Sequence, residues 1–181
     1  MSRIVLIVVT MFLALCVTIG CTSRYRKDLY FTSGEDRRKV KVVTTEYLQG
    51  VRLDNPYGDP KVSPGAGSCL VLTTQTRGKT VNTRFLQEFV QFDENLMCQI
   101  YLQLPAVPRA DTIVLEGNGM VQIRGRYELS VEDKVFLADE TGRLIVDSLA
   151  DGYLYATLRG LFTNRAGSHV SYDGEFRARI Y

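Results

Sequence analysis

The sequence predicts a mainly β protein: an antiparallel β-sandwich, with a partly open β-barrel as the alternative, behind an apolar N-terminal helix. Three observations carry this expectation. Apolar and polar residues alternate with a period of two along several segments, turn residues recur between those segments, and from Val40 onward no helical period runs long enough to compete. Many short strands with regular turns and little helix point to a sandwich or a small barrel.

At the N-terminus, Met1, Ser2 and Arg3 precede an apolar run from Ile4 to Ile19 that is interrupted only by Thr10, Cys16 and Thr18. Arg3 favours the cytoplasmic side while the apolar run gains transfer free energy in the bilayer. A permanent span needs about 20 apolar residues, so a cleaved signal helix fits the run better. The residues Thr18, Ile19, Gly20 and Cys21 then resemble the lipobox of bacterial membrane lipoproteins. Gly20 supplies the small residue required before the cysteine and Ile19 is acceptable ahead of it, whereas Thr18 stands where that family usually has Leu. Leu15, in front of Cys16, is too large for the same peptidase pocket.

The resemblance is confined to about the first 22 residues. It implies that residues 1–20 are removed and that Cys21 becomes the mature N-terminus, carrying a thioether-linked diacylglycerol and usually an N-acyl chain. At ~0.8 kcal/mol per buried methylene, two or three such chains hold a protein to a bilayer far longer than one. The protein would then be anchored to the cell membrane or the outer membrane, with its domain on the periplasmic or extracellular side. Thr22 implies outer-membrane sorting in a host with that machinery, because an Asp there is what retains proteobacterial lipoproteins in the inner membrane.

Residues 21–39 are expected to be a lipidated N-terminus and a basic tether, and residues 40–181 a single β domain. Arg24, Arg26, Lys27, Arg37, Arg38, Lys39 and Lys41 outweigh Asp28, Glu35 and Asp36 in this stretch. Beside a lipid anchor, such charges can lie on anionic head groups or simply be solvated. Over the whole chain, 22 Lys and Arg face 20 Asp and Glu, so no overall field draws in nucleic acid, which is not expected as a partner.

Within the domain, Leu96, Cys98, Ile100, Leu102 and Leu104 alternate with Met97, Gln99, Tyr101 and Gln103, placing one apolar row against a core. Thr80 to Phe92 reads as the preceding arm of a hairpin turning at Asp93 to Asn95, with a short helix over Thr83 to Phe92 as the alternative. Asn118-Gly119 predicts a tight hairpin between Thr112 to Glu116 and Met120 to Leu129, and Asp139 to Gly142 and Asp151-Gly152 repeat the turn chemistry. Tyr153 to Thr163 and Val170 to Tyr181 alternate around the turn Asn164 to Ser168 and are expected to pair, pinning the C-terminus into the sheet. Asp173-Gly174 suggests a bulge. Asp54 to Pro60 with Ser63 to Gly67, and Pro105 to Pro108, read as connections.

With Cys16 removed and Cys21 lipidated, Cys69 and Cys98 remain, in a compartment where disulfides persist. A bridge would close a loop of about 30 residues and constrain the unfolded chain by ~3 to 4 kcal/mol. Two unpaired core thiols are the other reading, since Cys98 lies on an inward row. Two thiols and the single His169 make a poor zinc set. His169 lacks a nucleophile elbow or a recognisable serine partner, so it reads as a strand-edge residue. No phosphate loop or calcium loop is present in the sequence, and no cofactor is expected.

Ten tyrosines and no tryptophan are present. Tyr101, Tyr153, Tyr155 and Tyr181 are expected to face outward, with Arg159, Arg177 and Arg179 nearby in the terminal hairpin, a pairing used by recognition surfaces and also by cross-strand cover on a solvated face. The reading that follows is a non-enzymatic binding or structural module of the cell envelope, with an unknown envelope protein or glycan as partner. The alternative is an envelope hydrolase using paired carboxylates drawn from Glu116, Asp133, Glu140, Asp147 and Asp173.

Overall fold

The computed structural model describes residues 28–54, 60–76, 81–85, 88–92, 96–124 and 134–180. The signal segment, Cys16, Cys21, Thr22, the turn Asp93 to Asn95, Asp133 and Tyr181 lie outside the described residues. Twelve strands follow one another among those residues: β1 (Leu29–Ser33), β2 (Asp36–Asp54), β3 (Lys61–Thr76), β4 (Val81–Phe85), β5 (Glu88–Phe92), β6 (Met97–Leu104), β7 (Asp111–Val114), β8 (Gly119–Arg124), β9 (Val135–Ala138), β10 (Arg143–Ala150), β11 (Tyr153–Asn164) and β12 (His169–Arg179).

Ten of them form one antiparallel sheet in the order β12, β1, β2, β3, β6, β8, β9, β11, β10, β7. β12 also pairs with β11 along its whole length, from Tyr153↔Arg179 to Thr163↔His169, so the ladder closes on itself through eight strands. β4 and β5 make a separate two-stranded sheet. The expected mainly β, antiparallel class holds, with one continuous sheet whose inner faces meet over a shared core.

The period of two explains that core. Inward rows such as Leu70 and Leu72 of β3, Ile100 and Leu102 of β6, and Leu158 and Phe162 of β11 are all fully buried and belong to one cluster. At its centre the Tyr172 ring meets Phe31 edge-on at 5.4 Å and Phe162 at 6.1 Å. The Tyr172 hydroxyl lies 3.3 Å from Thr74 Oγ1, giving a buried phenol a hydrogen-bond partner.

Two hairpins form where the turn chemistry places them. Asp151 and Gly152 both take positive φ, 53° and 76°, which is the geometry a two-residue turn between β10 and β11 requires. The Asn164 to Ser168 turn joins β11 to β12, with the Asn164 side chain accepting from Ser168 N at 2.8 Å.

Elsewhere the connections differ from expectation. β7 pairs with β10 and β8 with β6 and β9, so Asn118-Gly119 does not close a hairpin. Gly117, not Asn118, takes the left-handed conformation (φ 69°), and the Asn118 amide donates to the Val114 carbonyl at 3.1 Å, making a corner that carries the chain elsewhere in the sheet. Asp139 to Gly142 is a second corner, because β9 and β10 both pair with β11 rather than with each other. The corners abut: Leu115 N donates to the Gly142 carbonyl at 3.0 Å.

Of the segment Thr80 to Phe92, the described residues 81–85 and 88–92 are neither an arm paired with β6 nor helical: they are β4 and β5, while β3 takes the place beside β6. Ser63 to Gly67 belongs to β3 rather than to a loop. Pro64 is tolerated there because pairing of β3 with β6 starts only at Ser68, so no neighbour on that side needs its missing N–H. No register shift falls at Asp173-Gly174. Gly174 instead keeps an extended ladder at φ 139°, where a Cβ would collide with the Asp28 carbonyl. Finally, among the described residues the sheet begins at Leu29, ahead of Val40, so Arg37, Arg38 and Lys39 are part of β2 and not of a tether.

Candidate functional site

The outward rows of β11, β12, β1 and β2 assemble the surface that carries most of the candidate residues. Register sets Tyr153 opposite Arg179, Tyr155 opposite Arg177 and Arg159 opposite Asp173. β1 then brings Tyr30 opposite both Asp173 and Lys39. The alternate residues Leu154, Ala156, Leu158, Phe176 and Ala178 are buried beneath them, so burial of the inward row fixes which side chains share the outer face.

Side chains on this face cover one another. The Arg177 guanidinium lies 4.4 Å from the centre of the Tyr153 ring, and Arg37 lies 4.4 Å from that of Tyr30. Asp173 is shared between Arg159 (3.3 Å) and Arg37 (3.2 Å), and Lys39 pairs with Asp28. Exposed pairs of this kind contribute only ~0 to 1 kcal/mol each, so they orient the groups more than they hold the fold.

A groove of about 840 Å³ opens in this face. Its cause is the length of β1: β2 and β12 run past the start of that short strand, leaving their edges facing each other. Leu29, Val40, Val42 and Phe176 supply apolar lining, and Lys39, Lys41, Arg177 and Glu175 charged lining. Beyond it the walls meet, where Arg179 N donates to Thr45 Oγ1 at 3.2 Å. Tyr30, Arg37, Lys39 and Lys41 were hidden in the basic stretch. The signal that places them is the alternation of Leu29 and Phe31 with Tyr30, and of Val40 and Val42 with Lys39 and Lys41, on either side of Gly34.

Tyr101 does not belong to this surface. It is outward on β6, as its period requires, but only 7 % exposed, packed with Cys69, Val71, Met120 and Val135 in a second apolar cluster. Burial raises its phenol pKa above the ordinary value. Val51, Leu53 and Val62, from the far end of the β2–β3 hairpin, pack against that cluster.

The expected Cys69–Cys98 bridge is corrected as well: both are free, buried thiols. Cys69 stands opposite Gln103 and Cys98 opposite Thr74, and they face opposite sides of the sheet, Cys98 in the inner cluster and Cys69 in the outer one. Five steps along adjacent strands separate their pairing positions by about 17 Å, well beyond disulfide reach. Burial pushes the Cys69 thiol up to about 11 and the Cys98 thiol up to about 12, which makes both poor nucleophiles.

The acidic candidates are dispersed. Asp173 is held by two arginines and Asp147 accepts from Thr157 Oγ1 at 3.3 Å, whereas Glu116 and Glu140 sit in the two corner turns. His169 is exposed, its Nδ1 2.9 Å from Thr163 Oγ1 on the neighbouring strand. No protein-family model, curated protein or solved structure matches this chain.

Proposed function

We propose that this protein is an exported lipoprotein, anchored by lipid on Cys21, whose β domain is a non-enzymatic binding module of the cell envelope. The observation that carries the binding half of this reading is the continuous face of Tyr153, Tyr155, Arg159, Arg177 and Arg179, joined by Tyr30, Arg37 and Lys39 across β1 and β2. Tyrosine and arginine offer large contact area and several donors at low entropic cost, which suits recognition of an envelope protein or glycan. The lipobox-like residues before Cys21 support the anchoring half.

The two halves are tested together in intact cells. Metabolic labelling with palmitate is expected to mark the wild-type protein and to be lost in Cys21→Ser; retained labelling overturns the anchor. A photoreactive residue in place of Tyr155 is expected to yield a discrete crosslinked species that weakens in an Arg177→Ala background. Crosslinking that is equally strong from an outward position far from this face, such as Met97 on β6, overturns the binding surface.

A further inference from the structure

The tyrosine and arginine face is also the end of the domain from which the chain leads back to its N-terminus. Asp28, the first described residue, already lies between β2 and β12: its carbonyl accepts from Glu175 N at 3.3 Å and its carboxylate pairs with Lys39. Fully extended, residues 21–27 span at most about 25 Å. A lipid on Cys21 therefore keeps Asp28, and the part of this face around it, within that distance of the bilayer surface.

The chemistry of the face suits such a neighbour. Arg37, Lys39, Lys41, Arg159, Arg177 and Arg179 outnumber Asp28, Asp173 and Glu175 on adjoining outward positions, although the whole chain is nearly balanced at +2. Tyr30, Tyr153 and Tyr155, each half-buried, stand among these charges, and tyrosine is a side chain favoured at the membrane–water interface. The groove adds an apolar lining, with Phe176 and Val42, beneath Lys41 and Arg177. An extended peptide cannot run through it, because β1 blocks one end and the Arg179–Thr45 contact the other.

We infer that the β1–β2–β12 face docks on the anionic phospholipid surface to which the protein is tethered, with the basic residues on head groups and the groove turned toward the bilayer. This rests on the anchoring reading above: β2 and β12 meet the bilayer along the groove, and Tyr155 and Arg159, one strand farther round on β11, stay open to the envelope partner. Docking fixes the orientation of the domain, leaving β6, β8 and β9, on the far side of the closed ladder, pointing away from the membrane. The attraction is electrostatic and falls off over a Debye length, so it weakens with salt.

The test uses the lipidated full-length product in vesicles of phosphatidylcholine alone and of phosphatidylcholine with phosphatidylglycerol. Flotation reports the anchor, and backbone hydrogen exchange reports docking. Flotation with both compositions is expected, with exchange of peptides covering 37–45 and 173–179 slowed severalfold only where phosphatidylglycerol is present, and restored by about 0.5 M salt. The double variant Lys41→Glu, Arg177→Glu is expected to float normally and to lose the slowing. Flotation without slowing, or slowing that survives the double variant, overturns docking alone. Failure to float from either composition overturns docking together with the anchor. Equal slowing by glycerophosphate free in solution overturns the membrane surface in favour of a soluble anion.

Discussion

Two stretches of the same sheet present the same outward alternation and meet opposite fates. On β11, β12, β1 and β2 the outward rows are tyrosines and charges, and they stay at the surface in a network of stacked rings and ion pairs. On β3, β6, β8 and β9 the outward residues Cys69, Val71, Tyr101, Met120 and Val135 are buried under the far end of the β2–β3 hairpin. The lesson is that an outward position on a strand becomes solvent-exposed only if nothing else in the chain folds across it.

What folds across the second region can be traced to particular residues. Gly50 takes φ 66° at a register shift between Gln49 and Val51, which bends the hairpin. Gln103 then fastens the bent arm: its Oε1 accepts from Leu53 N at 2.6 Å, and its Nε2 lies within donating distance of the Ser68 (2.8 Å) and Val51 (3.3 Å) carbonyls. Gly67 leaves room for that side chain, since a Cβ there would run into Gln103 Nε2 and the Leu104 carbonyl. The tyrosine and arginine face has no such cover among the described residues.

The contrast is broken most severely from inside. Phe162→Ala removes a fully buried ring from the cluster that both regions share, and a loss of about 3–5 kcal/mol is expected in urea denaturation, with both regions unfolding together. Gln103→Ala should act on the outer region alone, costing about 1–3 kcal/mol by leaving Leu53 N and the arm carbonyls without their partner. Faster hydrogen exchange confined to peptides over 50–54 and 61–67 would confirm it, while unchanged exchange there would show that apolar contact alone holds the arm.

The smallest effect concerns the thiols, one in each cluster. Their folded-state values, about 11 for Cys69 and about 12 for Cys98, lie above the ordinary 9.0. The protonated form is therefore the one that folding favours. The stability this contributes is complete below pH 9 and is lost as pH rises from there through the folded values. The urea midpoint should accordingly fall above pH 9, and less steeply in the Cys69→Ala, Cys98→Ala double variant. Identical alkaline slopes would mean that the thiols ionise without penalty. Both thiols should also resist alkylation until the protein unfolds.

Much of the inner architecture is legible in the sequence because local chemistry determines it. The row Cys98, Ile100, Leu102 and Leu104 is buried as its alternation requires, and Asp151-Gly152 closes a hairpin because both residues tolerate positive φ. Of the candidate face, Tyr153, Tyr155, Arg159, Arg177 and Arg179 come together because two strands joined by a tight turn must pair in register. Tyr30, Arg37 and Lys39 were harder to place, because a short alternating strand within a basic stretch resembles a solvated tether until β12 is seen beside it.

The sequence by itself determined the β class, the inward rows, two hairpins and the lipobox-like Cys21, all of which depend on neighbours a few residues apart. Tertiary structure alone decided which strands stand side by side across the two corners, that Cys69 and Cys98 face opposite ways, and that Tyr101 lies under an arm while Tyr155 does not. The physical reason is that a period of two assigns each side chain to a face of the sheet, whereas what lies against that face is set by segments distant in the chain.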